Sequence, residues 1–245
     1  MRTKYGTISA VWRRLTLTAL CFVVCVAVLA QGEKLQNRPY IDLRKFHYGF
    51  MIGLHQENLH LKNNGLVDPE TGRQWFASND QMSPSFTVGV LGEWRLTNHF
   101  ALRAQPTMHF GNKHVTFRDQ TTEDRVYQDI KSTYISVPLD VKFSAPRWNN
   151  YRPYLTAGVN LMYDLTTQDN NYLKLKPFNA CLEVGFGCDY YLPFFKLIPE
   201  IKFCFGLNDI LEKNRKDLQD KTMEIYTKSI DRASMNMIIL TLYFE

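Results

Sequence analysis

The sequence predicts an all-β fold: an eight-stranded antiparallel transmembrane β-barrel of the outer membrane over residues 45–245, behind a signal peptide at 1–30 and a periplasmic N-terminal lead at 31–44. Three observations predict it. Apolar residues alternate with small or polar ones at period two in eight separate segments, the mark of strands with two unlike faces. The connections between these segments alternate long and short, as in barrels whose long loops face outside and whose tight turns face the periplasm. After Ala30 no apolar run reaches the roughly 18 residues of a membrane helix. Insertion would then need a closed barrel, in which neighbouring strands satisfy each other's backbone hydrogen bonds.

The first residues read as an export signal. Arg2, Lys4, Arg13 and Arg14 are basic, Leu15 to Leu29 is a short apolar run, and Val28-Leu29-Ala30 offers a small-residue cleavage site. Four of the 29 basic residues fall here, so 25 basic residues face 24 acidic ones in the remainder. A near-neutral chain without a basic stripe gives no reason to expect nucleic acid as a partner. Cys181, Cys188 and Cys204 are too few for a disulfide framework. No CxxC, HExxH, P-loop or GxSxG occurs, so no cofactor, metal site or catalytic residue is expected.

The strands follow in order. The first sets Phe46, Tyr48, Phe50, Ile52 and Leu54 against His47, Gly49, Met51, Gly53 and His55. The second sets Phe86, Val88, Val90 and Trp94 against Thr87, Gly89, Glu93 and Arg95. In the third, Phe100, Leu102, Ala104, Met108 and Phe110 oppose Arg103, Gln105, Thr107 and His109. In the fourth, Ile135, Val137, Leu139, Val141 and Phe143 oppose Ser136, Asp140 and Lys142. The fifth has Leu155, Ala157, Val159, Leu161 and Tyr163 across from Thr156, Gly158 and Asn160. The sixth has Phe178, Ala180, Leu182, Val184, Phe186 and Tyr190 across from Glu183, Gly185, Gly187 and Asp189. The seventh places Leu197, Ile201, Phe203 and Phe205 opposite Lys196, Glu200 and Lys202. The eighth is the least regular; Ile238, Leu240, Leu242 and Phe244 are assigned to its apolar face, because a terminal aromatic usually faces lipid.

Long polar connections are expected at Lys62 to Pro84, Asn112 to Lys131, Thr166 to Lys176 and Asn208 to Arg232, the last with a helical turn or two. Short turns are expected near Thr97-Asn98, Pro146 to Tyr151 and Leu192-Pro193. An even strand count puts both termini in the periplasm.

A soluble up-and-down barrel shares this alternation with its apolar face inward. The membrane reading is preferred because the polar faces are rich in Gly, Ser and Thr and poor in charge, unlike a water-facing surface. Aromatics also gather on the apolar sets and near strand ends, as an interfacial girdle requires: Phe46, Tyr48, Trp94, Phe100, Phe143, Tyr154, Tyr190, Phe195 and Phe244.

An eight-stranded barrel is filled by its own side chains, so charges inside it must be paired. The expected lumen network is Glu93, Arg95, Arg103, Asp140, Lys142, Glu183, Asp189, Glu200 and Lys202. A three-residue turn at Thr97 to His99 sets Glu93 opposite Arg103. A two-residue turn at Leu192-Pro193 sets Glu183 opposite Lys202 and Cys181 opposite Cys204. That cysteine pair is a candidate bridge, although facing cysteines in one sheet rarely have disulfide geometry. The network is read as a structural plug in preference to a proton or substrate path.

Beyond pattern, the segment YISVPLDVKF from Tyr134 is similar to a Tyr-Leu-x-x-Pro-Leu-x-x-Lys-Tyr/Phe pattern of small outer-membrane barrels from Bacteroidetes. With NRPYIDLRKFHYGFMIGL from Asn37, NNYRPYLTAGVN from Asn149, PEIKFCFGLNDIL from Pro199 and the closing TLYFE, the chain resembles the PorT family from about residue 37 onward. The resemblance implies a part in the type IX secretion system, which exports proteins with a C-terminal sorting domain, among them proteases and gliding adhesins. It implies an accessory or assembly barrel in outer-membrane lipid, beside other type IX components and with indirect cargo contact. Eight strands cannot enclose a folded cargo.

Two rivals stay open at this point. One is a small passive porin or a structural or adhesive barrel. The other is a lipid-modifying enzyme, for which His55, His60, His109 and His114 and Ser132 and Ser136 fall toward the outer end. Catalysis would need a histidine between a nucleophile and an orienting carboxylate, and no enzyme is expected on so weak a constellation.

Overall fold

The computed structural model describes residues 35–68, 71–81, 84–120, 122–166 and 171–245; the expected signal peptide lies outside them. The chain divides into a unit ending at Gln36, of which only Leu35 and Gln36 are described, and a unit Asn37–Glu245 that carries the fold.

The second unit is one antiparallel sheet closed into a ring. Its strands are β1 (Phe46–Asn63), β2 (Trp75–Gln81), β3 (Pro84–Arg95), β4 (Phe100–Ala104), β5 (Thr107–Asp119), β6 (Arg125–Ser144), β7 (Tyr151–Asp164), β8 (Phe178–Tyr191), β9 (Lys196–Gly206) and β10 (Ile230–Phe244). β10 pairs back onto β1 from Phe50↔Phe244 to Asn63↔Ile230, and β1 pairs with β3 from Phe46↔Trp94 to Gln56↔Pro84, which closes the sheet.

Ten strands therefore stand where eight were expected. β2 and β3 follow one another and both pair with β5; β4 and β5 follow one another and both pair with β6. Gln105-Pro106 separates β4 from β5 because proline has no N–H to give the ladder. There Val90 N–H donates to Pro106 O at 3.0 Å. The expected loop Asn112 to Lys131 is largely strand, and the one from Lys62 to Pro84 is partly so, through the end of β1 and β2. β5 and β6 run on as a hairpin through Asn112 to Lys131, in which Asp119 N–H donates to Asp124 O at 2.9 Å, and β1 continues to Asn63. Those extensions alternate without a clean apolar set, which is why their period was hidden.

The outward faces are the apolar sets read from the sequence, with Phe46, Tyr48, Phe50, Val90, Leu155, Phe186 and Leu240 all exposed. One aromatic was misplaced: Tyr154 points into the lumen and is 2% exposed, since period two puts it opposite Leu155.

The interior has two layers. Toward the long connections it is apolar. Leu59, Val115, Phe117, Ile130, Met235 and Met237 pack there against Leu173, Ile210 and Leu211 from the connections themselves. Two connections are stitched together above this core by Lys176 N–H to Ile210 O at 2.7 Å and Glu212 N–H to Lys174 O at 3.1 Å. Helix α1 (Glu224–Lys228) sets the Tyr226 ring 4.9 Å from Trp75 and 5.0 Å from Phe117. The buried Arg215 donates to Tyr172 O at 3.0 Å and Thr227 Oγ1 at 2.8 Å, tying the two connections from within. This layer explains the irregular eighth segment: β10 is apolar on both faces, with Met235, Met237 and Ile239 inside and Ile238 and Leu240 outside.

At the short-turn end the segment from Asn37 folds over the mouth. Asn37 donates from its backbone to Asn150 Oδ1 and from Nδ2 to Tyr191 O, both at 2.9 Å. A 3-10 turn at Ile41–Leu43 buries Ile41 and presents Asp42 to Tyr191 Oη at 2.6 Å, Arg147 at 3.4 Å and Arg152 at 3.5 Å.

Candidate functional site

Between the apolar layer and the short-turn mouth, the inward positions of β3, β4, β6, β8 and β9 carry charge. Alternation dictates this: residues flanking each outward apolar residue must point in. Glu93 and Arg103 are cross-strand partners, and Arg103 Nε donates to Glu93 Oε2 at 2.7 Å. Arg103 Nη1 donates to Glu200 Oε2 at 2.8 Å, and its guanidinium lies 4.6 Å from the Tyr154 ring centre. Glu200 also accepts from Tyr154 Oη at 2.5 Å and Tyr243 Oη at 2.9 Å.

The lysines bridge further carboxylates. Lys142 meets Glu93 at 3.3 Å and Asp189 at 2.8 Å, above the same Tyr154 ring at 4.2 Å. Lys202 meets Asp140 at 2.5 Å, Glu183 at 3.1 Å and Glu200 at 3.7 Å, and donates to Gln105 Oε1 at 2.9 Å. Lys196 links Asp189, at 3.9 Å, to Glu245. All of these groups are buried. A buried charge is tolerable only when paired and hydrogen-bonded, and the tyrosines and Gln105 supply the remaining bonds.

Eight of the nine residues expected in a lumen network come together: Glu93, Arg103, Asp140, Lys142, Glu183, Asp189, Glu200 and Lys202. Arg95 does not join them. It sits half-exposed at the short-turn mouth and donates to Asp42 O. The expected register at the β8–β9 turn is corrected by two residues. The turn is Leu192–Phe195, closed by Leu192 N–H to Phe195 O at 3.0 Å, so Glu183 faces Cys204 and Lys202 faces Gly185. Lys202 still reaches Glu183 because its stem spans the offset. The candidate bridge is also corrected. Cys181 faces Gly206, both cysteines are free, and Cys204 Sγ donates to Glu183 Oε1 at 3.2 Å.

Sequence reasoning missed Lys196, Tyr154, Tyr243 and Gln105 as members, although their parity marks them as inward. It also missed a second buried group on β1 and β5, where Glu57 meets His55 at 3.1 Å and Lys113 at 3.2 Å. Lys113 was hidden in an expected loop. The His and Ser residues of the enzyme reading divide. His109 Nε2 pairs with Ser136 Oγ at 2.9 Å, but both are buried and the nearby carboxylate, Glu57, is bonded to His55. Among the described residues no group of three or more His, Cys, Asp or Glu is placed to hold a metal ion. A cavity lined by Gln105, His109, Asn160, Glu183, Lys202 and Tyr243 has ≈ 10 Å³, room for about one water. The arrangement can hold walls together and block passage.

A family model described as an outer membrane protein beta-barrel domain matches residues 30–212, more than half of the chain. No curated protein matches. Among solved structures, the outer membrane protein OprG from Pseudomonas aeruginosa is similar at 12% identity and a TM-score of 0.42, over 81% of this chain and 92% of that one. Ail, the attachment invasion locus protein of Yersinia pestis, solved with the heparin analogue sucrose octasulfate, is similar at 13% identity and a TM-score of 0.34, over 82% and 99% of the two chains.

Proposed function

The chain belongs to the outer membrane protein beta-barrel domain family, and we propose that it is a non-conducting accessory barrel of the type IX secretion machinery, required for export and maturation of its cargo. One observation carries the non-conducting part: the lumen is filled at both levels, by the Arg103–Lys142–Lys202 ion pairs below and the Phe117–Met237 core above. A passive porin needs a watery lumen. Work is then left to the two ends and the outer wall.

We take β2 with β3, which share β5 as a neighbour, and β4 with β5, which share β6, as two interrupted lines, so that the ten strands count as eight staves. Counted so, the long connections face outside and the short turns, the Asn37–Lys45 cover and Glu245 face the periplasm. The type IX assignment is supported by the PorT-like segments at Asn37, Tyr134, Asn149 and Pro199. Partners are other type IX components, met at the loops or at the periplasmic cover, with cargo contact indirect. We assign no catalytic role, since the Ser136–His109 pair is buried in the lumen.

Clean deletion tests this. Cargo with type IX sorting domains should accumulate unprocessed inside the cell while other outer-membrane proteins stay normal. Normal release of cargo would overturn the secretion role and leave the barrel reading standing.

A further inference from the structure

On the outer wall, one glycine is unlike the others. At every other strand glycine among the described residues, an added Cβ would come within 3.0 Å of an existing atom, as close as 2.2 Å at Gly158. Those glycines are required by crowding. At Gly92 the nearest atom to an added Cβ is Ala104 O at 3.7 Å, an ordinary contact. Gly92 is on the outward face, and a glycine inside a strand weakens it. Nothing in the fold demands it, so a different reason for its smallness is needed. Close approach of another molecule is such a reason.

The neighbours of Gly92 make the shape. Across the wall the outward ladder reads Tyr48, Gly92, Ala104, Leu139. Two small residues side by side leave a hollow of ≈ 630 Å³, walled by Phe46, Tyr48, Trp94, Leu102, Leu139 and Val141. That is within the range of small-ligand pockets, roughly 300–1,000 Å³. The walls are hydrocarbon and aromatic, which suits a hydrocarbon tail.

The rim beside the hollow carries charge of one sign. Arg44 and Lys45 are exposed and directly precede Phe46, whose ring stacks on Trp94 at 6.0 Å. Lys45 O accepts from Arg95 N–H at 2.8 Å, which holds this segment alongside the Trp94 end of β3. The nearest acid of the segment, Asp42, is engaged by Tyr191, Arg147 and Arg152. Among the described residues neither Arg44 nor Lys45 has a side-chain partner, and two such cations at an aromatic rim match a lipid phosphate.

We propose that this hollow is a binding site for one anionic phospholipid, with an acyl chain over Gly92 and Ala104 and its phosphate at Arg44 and Lys45. Only the leaflet, the periplasmic one, rests on the orientation proposed above. The site would anchor the short-turn rim at a fixed depth and rotation, which a barrel that works beside partners requires.

Native mass spectrometry tests it. The folded barrel is moved from vesicles of mixed phosphatidylglycerol and phosphatidylethanolamine into detergent. One phosphatidylglycerol should persist on the wild type. Gly92→Leu, which fills the hollow, should reduce that occupancy about tenfold, and Arg44→Gln with Lys45→Gln should erase the preference for phosphatidylglycerol. Equal occupancy on Gly92→Leu would overturn the site. A second measurement does not depend on that variant folding. With Trp75→Phe and Trp148→Phe leaving Trp94 as the reporter in the barrel, brominated phosphatidylglycerol should quench more than brominated phosphatidylethanolamine at equal mole fraction. Equal quenching would also overturn it. Neither measurement depends on which end faces outside, so a wrong orientation would change the leaflet and leave these results intact.

Discussion

Arg103 and Glu200 meet at 2.8 Å across the lumen, from strands that face each other through the ring. Going round the sheet from β4 to β9, three strands intervene on one path (β6, β7, β8) and three on the other (β3, β1, β10). A single guanidinium therefore spans from one wall to the opposite one. The pair measures how narrow the lumen is and locks its width.

Replacing Arg103 with Met should be severe. It would leave Glu93 and Glu200 buried without their shared cation, and breaking one member of such a group costs about 3–5 kcal/mol. Urea unfolding of barrel refolded into vesicles measures this. Adding Glu93→Gln and Glu200→Gln should recover most of the loss, because neutral amides need no counter-charge. No recovery would mean that the arginine acts by volume and not by charge.

The two kinds of glycine should respond in opposite ways. At Gly158 a Cβ would lie 2.2 Å from Leu139 O and 2.4 Å from Asp140 Oδ1. Gly158→Ala should destabilise by roughly 1–3 kcal/mol, the usual cost of overpacking. Gly92→Ala should be neutral or stabilising by roughly 0.5–1 kcal/mol, because alanine loses less backbone entropy. The same urea series checks both.

What the sequence could and could not reveal follows from what each residue faces. Phe46 to Leu54 was readable because lipid selects one face and a crowded lumen the other. The extensions of β5 and β6 were not, because most exposed positions there, Asn112, Arg118, Arg125 and Asp129 among them, are polar, and a polar run on a strand resembles a loop. β10 was ambiguous because Met237 is as apolar as Ile238. Glu93 opposite Arg103 depends only on a local turn and could be read. The contact of Arg103 with Glu200 depends on ring closure, which no local pattern records. The Glu183 register failed because the Leu192–Phe195 turn admits two lengths on paper.

Acid should loosen the short-turn rim through Glu245. Burial alone would raise its carboxyl. The hydrogen bond from His47 at 2.5 Å and the charge of Lys196 win, and hold it at about 2 against an ordinary 4.5. A carboxyl lowered in the folded state stabilises fully above its unfolded value and loses that contribution as pH falls through its folded value. The loss should therefore run from about pH 4.5 to about 2. Unfolding midpoints for wild type and Glu245→Gln should converge over that window. A constant difference would show that the pair is held by shape alone.

Orientation is testable on intact cells. Lys213, in a long connection, and Phe194, at a short turn, are both exposed. In a background with Cys188 removed, Lys213→Cys should react with a membrane-impermeant maleimide on whole cells. Phe194→Cys should react only after lysis. The reverse pattern would turn the barrel over in the membrane.

The most direct test of a barrel closed by its own contents is conductance. Purified protein in a planar bilayer should add no stable open-channel steps, and Arg103→Met with Lys202→Met should stay closed too, because methionine keeps most of the side-chain volume and the apolar core still blocks the lumen. Stable ohmic steps from the wild type would contradict the account, because ions would then be crossing a lumen that the ion pairs and the apolar core are held to block.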